Sequence, residues 1–284
     1  ELWIASVNGL CAYDGEFLTI YDVGDGLPSN EITSLTVNSR GELWVGTTDG
    51  IASFDGSRFT PVDAPDGPGD ASVQTVSFDM GQNLWVGTES DGIYFRAEEE
   101  WTHTTTRDGL LANSARVVAQ AWDRSVWSAS WAGISRWDGN SWKSFSARKV
   151  LGTYNARDMI TTEKRFWYFT DMGVHVSEGA DWSHYTEDDG LISDDTLCGY
   201  IVSEELAYVG TVDGMSVIEN GRIRNYFIPN CPVGYNYLTI EKDDSNRIWL
   251  GTWESGVNIF DSGYWTQVLS EYGTTLETVR DIVF

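Results

Sequence analysis

Apolar residues along this chain recur at alternate positions over short runs, each run closed by Gly, Asp, Asn or Pro. That period predicts strands and offers no helical pattern of useful length. The pattern is sharpest from Asp25 to Phe59, DGLPSNEITSLTVNSRGELWVGTTDGIASFDGSRF. Ile32, Leu35 and Val37 mark a first strand, Leu43-Trp44-Val45 a second and Ile51 to Phe54 a third, and Phe59 opens a fourth. Such a sheet has two faces to cover, so it requires copies of itself on either side.

The copies are present. The Leu-Trp-Val-Gly signature returns around Trp3, Trp44, Trp85, Trp127, Trp167, Tyr208 and Trp249, at spacings of 41, 41, 42, 40, 41 and 41 residues. A glycine follows each aromatic, at Gly9, Gly50, Gly92, Gly133, Gly173, Gly214 and Gly256, where a tight hairpin needs positive φ. A second Asp-Gly turn at Asp14, Asp55 and Asp138 precedes the outer strand. That strand carries a large ring near its start, at Phe17, Phe59, Trp101, Trp142, Trp182 and Trp265, with Ile223 the exception; these rings are expected to wedge between sheets.

The two ends complete each other. Glu277 to Phe284 reads as a first strand, whereas the chain enters directly at a second-strand motif, as expected of a segment processed or excised from something longer. A C-terminal inner strand pairing with the N-terminal strands closes a ring, and the expected fold is all-β, a seven-bladed β-propeller of four-stranded antiparallel blades. One domain spans 1–284, with blades beginning near 277/1, 30, 71, 113, 155, 195 and 236. The WD-repeat version lacks its Gly-His partner in each copy.

DGLPSN followed by I-x-x-L, G-x-LWVGT, D-G-I and F-D-G-x-x-F resembles the two-component regulator propeller repeat. The DGL element is plain at Asp25-Gly26-Leu27, Asp108-Gly109-Leu110 and Asp189-Gly190-Leu191, and degraded near Val150, Pro232 and Tyr272. The resemblance implies a sensor part of a bacterial signalling protein, periplasmic or extracellular, often from carbohydrate-utilising bacteria and followed there by a membrane helix and a histidine kinase. The repeats take up essentially the whole of residues 1–284, so what the resemblance covers is the sensor part.

Charge narrows the partners. With 43 Asp and Glu against 18 Lys and Arg, a net charge of −25 repels nucleic-acid phosphates and anionic lipid, and no apolar run is long enough to span a membrane. Cys11, Cys198 and Cys231 have no metal-ligand spacing; Cys198 and Cys231 either meet at one end of the molecule or, like Cys11, are buried free thiols. His103, His175 and His184 fall in third or outer strands, away from the channel mouth. That disfavours a histidine base, a metal site and Ser-His-Asp chemistry, along with the activity of the streptogramin lyases, propellers expected to use such a base. The Asp-Gly runs resemble fragments of calcium loops, but they lack the full ligand spacing and are explained as turns, so no cofactor is expected.

Because each copy is a control for the others, candidate functional residues are those that break the repeat. Arg116, Arg157 and Arg280 share one inner-strand position, where the siblings carry Thr33, Gln74, Cys198 and Leu238. Either they converge on an anion in the channel, or each pairs with a nearby carboxylate such as Asp158 or Asp281. Trp131 and Trp253 stand in second-to-third-strand loops where siblings have Thr48, Asp171 or Asp213. They are ring platforms for a ligand such as a sugar face, or rings folded over their own blades. Glu89-Ser90-Asp91 and Trp253-Glu254-Ser255 lengthen two of these loops, and Tyr154, Asn155, Tyr235, Asn236 and Tyr237 fall near them, outlining a polar and aromatic mouth or ordinary loop variation. The function expected is a non-enzymatic, sensor-type propeller recognising an oligosaccharide or other polar or anionic ligand on the loop face. The alternatives are a protein interaction scaffold docking a partner domain or second propeller, and a polysaccharide lyase or hydrolase using carboxylates.

Overall fold

The computed structural model describes residues 2–146, 155–178, 181–227, 236–267 and 278–284. The stretch opened by Asp25 forms the sheet its alternation predicts, with strands Ile32–Val37, Leu43–Thr47, Gly50–Phe54 and Phe59–Pro61 paired in that order. Its apolar second strand is buried throughout, because an inner strand flanks it on one side and neighbouring sheets cover both its faces.

Among the described residues there are seven such antiparallel sheets. We number the blades by their inner strands: Val279–Val283 in blade 1, Ile32–Val37 in blade 2, Val73–Phe78 in blade 3 and Val117–Gln120 in blade 4, then Ala156–Thr161 in blade 5, Thr196–Ser203 in blade 6 and Tyr237–Lys242 in blade 7. Successive inner strands touch around the full circle, blade 1 on blade 2 and blade 7 on blade 1 included. Blade 1 joins the chain ends, pairing Trp3 with Val283, Ile4 with Ile282 and Ala5 with Asp281. The protein is a seven-bladed β-propeller.

The core is a set of wedges between blades. Trp3, Leu10, Ile32, Leu43 and Phe59 form the one between blades 1 and 2. Burying each such large apolar side chain contributes about 1.5–3 kcal/mol. The outer-strand rings obey the same logic with two exceptions. Phe59 and Trp142 are buried, but Trp182 is 38% exposed and Phe17 64%. Tyr13 pairs with Leu18 as Phe54 pairs with Phe59, so Leu18 holds the wedge position. A one-residue slip in a strand turns a side chain to the other face.

The DGL element has a local physical cause. Val23–Asp25, Thr106–Asp108 and Glu187–Asp189 are single 3-10 turns with reciprocal caps; at the first, Asp25 accepts from the Asp22 N–H while Asp22 accepts from the Gly24 N–H. Gly26 then takes φ of 103°, and a Cβ there would sit 2.5 Å from the Phe59 carbonyl oxygen. Leu27, Leu110 and Leu191 follow, at most 5% exposed, as plugs between blades. The three degraded copies, near Val150, Pro232 and Tyr272, lie outside the described residues, as does Cys231. Cys11 and Cys198 are buried free thiols.

Candidate ligand-binding face

Loops from second to third strand and from outer to next inner strand share one face, and the backbone binds them together. Thr48, Glu89, Val212 and Trp253 each donate an N–H to the residue just ahead of their own blade's inner strand, namely Glu31, Ser72, Asp195 and Asn236. A residue on either kind of loop is therefore held at the mouth of the central channel.

Trp131 and Trp253 lie on this face and are 58% and 48% exposed, so neither ring is folded away under its blade. Trp253 is anchored through its backbone, its carbonyl accepting the Thr278 hydroxyl at 2.7 Å. Glu254 beside it is exposed. Met172 and Phe227 extend the apolar set at 51% and 54% exposure, so blades 4 to 7 each present a large apolar side chain on the loop side. At the place of Trp131 and Trp253 the loops of blades 1 to 3 carry Val7, Thr48 and Glu89, and blade 1 adds the exposed Val23 on its outer-to-inner loop. Met172 escaped sequence reading because a methionine beside an Asp-Met-Gly turn resembles ordinary loop variation. Tyr237 belongs elsewhere: it is fully buried among Cys198, Met215 and Leu250 between blades 6 and 7, and so leaves the proposed mouth. Tyr154 and Tyr235 lie outside the described residues.

The three arginines occupy equivalent places with different surroundings. In blades 1, 2, 3, 5, 6 and 7 the inner-strand register shifts by one residue just after its start, leaving an extra residue unpaired. Arg157 and Arg280 are that residue, and Arg116 stands at the same point of blade 4, its N–H on the Ala129 carbonyl at 2.9 Å. Such a bulge re-aims its side chain out of the ladder. The register places Leu197 in this set in blade 6, correcting the assignment of Cys198, which lies one residue on. Arg280 is tied to Glu31 at 2.6 Å, Arg157 reaches Asp195 at 3.3 Å through Nη2, and Arg116 Nη1 donates to the Ala156 carbonyl at 3.3 Å.

Asp158 and Asp281, the carboxylates expected to neutralise these arginines, do other work. Each follows its arginine and, by the pleat, faces the next inner strand. Asp158 accepts N–H groups from Met159 and Gly199, at 2.7 and 3.1 Å; Asp281 accepts from Leu35 and Ile282, at 2.7 and 2.9 Å. Ser34 performs the same bridge in blade 2 with a hydroxyl, accepting from Val76 at 3.2 Å. Burial pushes both aspartates up to about 6. Glu241, on the blade 7 inner strand, is pushed up to about 8 by burial and by the charge of Asp281, with Asp158 a further contributor. This axial trio went unseen in the sequence because nothing in spacing separates it from the other acidic residues. Among the described residues no group of three His, Cys, Asp or Glu has the arrangement of a metal site.

Of the histidines, His175 and His184 pair with each other in the third and outer strands of blade 5, whereas His103 reaches the rim of this face, its ring nitrogen bonded to the Asp91 carbonyl of a second-to-third-strand loop. His175 is held down to about 4 by burial, then by His184 with ring centroids 6.2 Å apart, and His103 stacks on Tyr94 at 4.2 Å. Two clefts lie elsewhere, one of about 520 Å³ at Arg40, Trp44 and Arg96, the other of about 440 Å³ at Arg165 and Trp182. Arg96 in the first is paired with Glu99 and Arg165 in the second with Glu178.

Residues 26–49 match the family model of the two component regulator propeller, so the chain carries that repeat, as its pattern predicts. Among solved structures, the extracellular domain of a putative hybrid two component system from B. thetaiotaomicron is similar over 93% of this chain, at 18% identity and a TM-score of 0.71. This chain spans only 38% of that one. Virginiamycin B lyase from Staphylococcus aureus is similar over 84% of each chain, at 12% identity and a TM-score of 0.66. The WD40 propeller domain of Doa1 matches over 95% of this chain and 90% of its own, at 14% identity and a TM-score of 0.66. At these identities the likeness shows the shared propeller fold. Among curated proteins no match was found.

Proposed function

We propose that this propeller is a non-enzymatic, sensor-type domain that recognises an oligosaccharide or other polar ligand on the loop face of blades 4 to 7. The observation that carries the reading is the pair of exposed indoles, Trp131 and Trp253, which break a repeat whose other second-to-third-strand loops hold Val7, Thr48, Glu89, Asp171 and Val212, none of them a ring, at the matching place. A ring on a loop stacks on an apolar sugar face, and neighbouring carboxylates and amides such as Glu254 and Asn155 read hydroxyls. The repeat of the two-component regulator propellers supports a sensory role, with a periplasmic or extracellular location as in the similar extracellular domain. The reading requires neither a cofactor nor a bound metal.

Calorimetry of the chain against a panel of plant and host glycan fragments tests it. Binding is expected for at least one fragment and is expected to weaken by about tenfold or more in Trp131→Ala/Trp253→Ala, a loss of roughly 1.4 kcal/mol. Absence of heat across the panel, or unchanged affinity in the double variant, overturns the assignment. A scaffold role is a second reading, favoured by Met172 and Phe227, which add aliphatic and aromatic surface suited to a partner domain or second propeller. Self-association or capture of a partner by analytical ultracentrifugation, lost in Met172→Ser and indifferent to glycans, favours it.

A further inference from the structure

We propose that Arg116 and Arg157 together form one anion-binding subsite at the channel mouth, built for a carboxylate or sulfate group on the ligand, and that Arg280 is not part of it. The inference rests on the ligand-binding reading of the loop face and narrows the ligand to one that carries an acidic group.

Position comes first. The Arg116 guanidinium bonds the carbonyl of Ala156, the residue immediately before Arg157, so the arginine of blade 4 lies against that of blade 5. Trp131 leaves the same end of blade 4, two residues past Ala129, which accepts the Arg116 N–H. One indole and two guanidinium groups thus share a corner of the mouth.

Donors there outnumber acceptors. Among the described residues Arg116 has no carboxylate within 4.0 Å. Arg157 engages Asp195 only through Nη2, and its buried Nε has no acceptor. Tyr168, packed between blades 4 and 5 and fully buried, holds a hydroxyl without a hydrogen-bond partner, within electrostatic reach of Arg116.

Electrostatics agree with position. Burial and then the charge of Arg157 lower the Arg116 pKa, so the pair is held together against its own repulsion. In a chain of net charge −25, unpaired cations are the scarce resource, and most described arginines lie against a carboxylate. A planar carboxylate or a sulfate offers the two or three acceptor oxygens that paired guanidinium forks match.

The test uses a uronate-bearing disaccharide, the same disaccharide with its carboxyl reduced to the alcohol, and inorganic sulfate, all at constant ionic strength. Calorimetry of the chain should show the uronate bound about tenfold or more tighter than its reduced form, with sulfate competing for the uronate. Arg116→Gln should abolish that ratio, Arg116→Lys should retain part of it, and Arg280→Gln should leave it intact; thermal unfolding of each variant checks that it is folded. Equal binding of the two disaccharides, a ratio unchanged in Arg116→Gln, or no response to either anion overturns the subsite. If the reduced disaccharide still binds through Trp131, the ligand-binding reading survives that loss. If neither disaccharide binds but sulfate does, and its binding is lost in Arg116→Gln, the subsite stands for free anions and the oligosaccharide reading falls.

Discussion

Arg157-Asp158 and Arg280-Asp281 are neighbouring pairs on inner strands, and in both the two charges turn away from each other. The arginine is the bulged residue, aimed at the mouth. The aspartate, one residue further, accepts its own strand's and the next inner strand's N–H groups. Opposite charges adjacent in sequence thus serve different ends, because the pleat separates them. The cation is available to the surface and the anion belongs to the scaffold, where Ser34 does the same work without a charge.

Replacing the scaffold member should have the largest effect. Asp281→Leu leaves the N–H groups of Leu35 and Ile282 without their acceptor, each worth about 1–3 kcal/mol when buried unpaired. A loss of about 2–5 kcal/mol is expected by denaturant unfolding, whereas Asp281→Asn keeps an acceptor and should lose much less. A loss below about 1 kcal/mol for leucine would return Asp281 to the role of a simple counter-ion.

Next comes pH. Asp158 and Asp281 near 6 and Glu241 near 8 bind protons more tightly in the folded protein than in the unfolded chain, where carboxylates titrate near 4. Stability should therefore fall as pH rises from about 4 to about 8, and Glu241→Gln should flatten the upper part of that slope. Asp138, held down to about 2 first by its bond to Lys143, acts in the opposite sense, its contribution being lost as pH falls from about 4 towards 2. Melting temperatures from pH 3 to 9 should peak near pH 4 and decline above it; a curve still rising from pH 6 to 8 contradicts the axial trio.

The mouth should be nearly silent in the same assays. Arg280→Gln breaks a part-exposed ion pair with Glu31, with an expected loss of about 0–1 kcal/mol. Arg116→Gln should be smaller still, within about 0.5 kcal/mol, since it removes a cation that faces another cation. A loss of several kcal/mol at Arg116 would show it to be scaffold, like the aspartates.

Much of this was legible in sequence for a physical reason. Period-two alternation, positive-φ turns and a wedge aromatic are needs of each blade separately, so they recur at a fixed interval. Trp131 and Trp253 were legible as departures from that ruler. The errors arose where a one-residue offset matters: Phe17 was read for Leu18 at a hairpin, and Cys198 for Leu197 at a bulge. A bulge leaves no mark in composition.

The sequence by itself determined seven four-stranded units, their turns, their wedges and the closure of the ring, because local patterning and repetition suffice for those. Only the tertiary structure decided which residues meet across the axis. Asp158, Glu241 and Asp281 come from blades 5, 7 and 1, and Arg116 and Arg157 from blades 4 and 5; these neighbours exist because the chain closes into a ring. The direction of a side chain there depends on bulge and pleat, which assigned the arginines to the mouth and the aspartates to the scaffold.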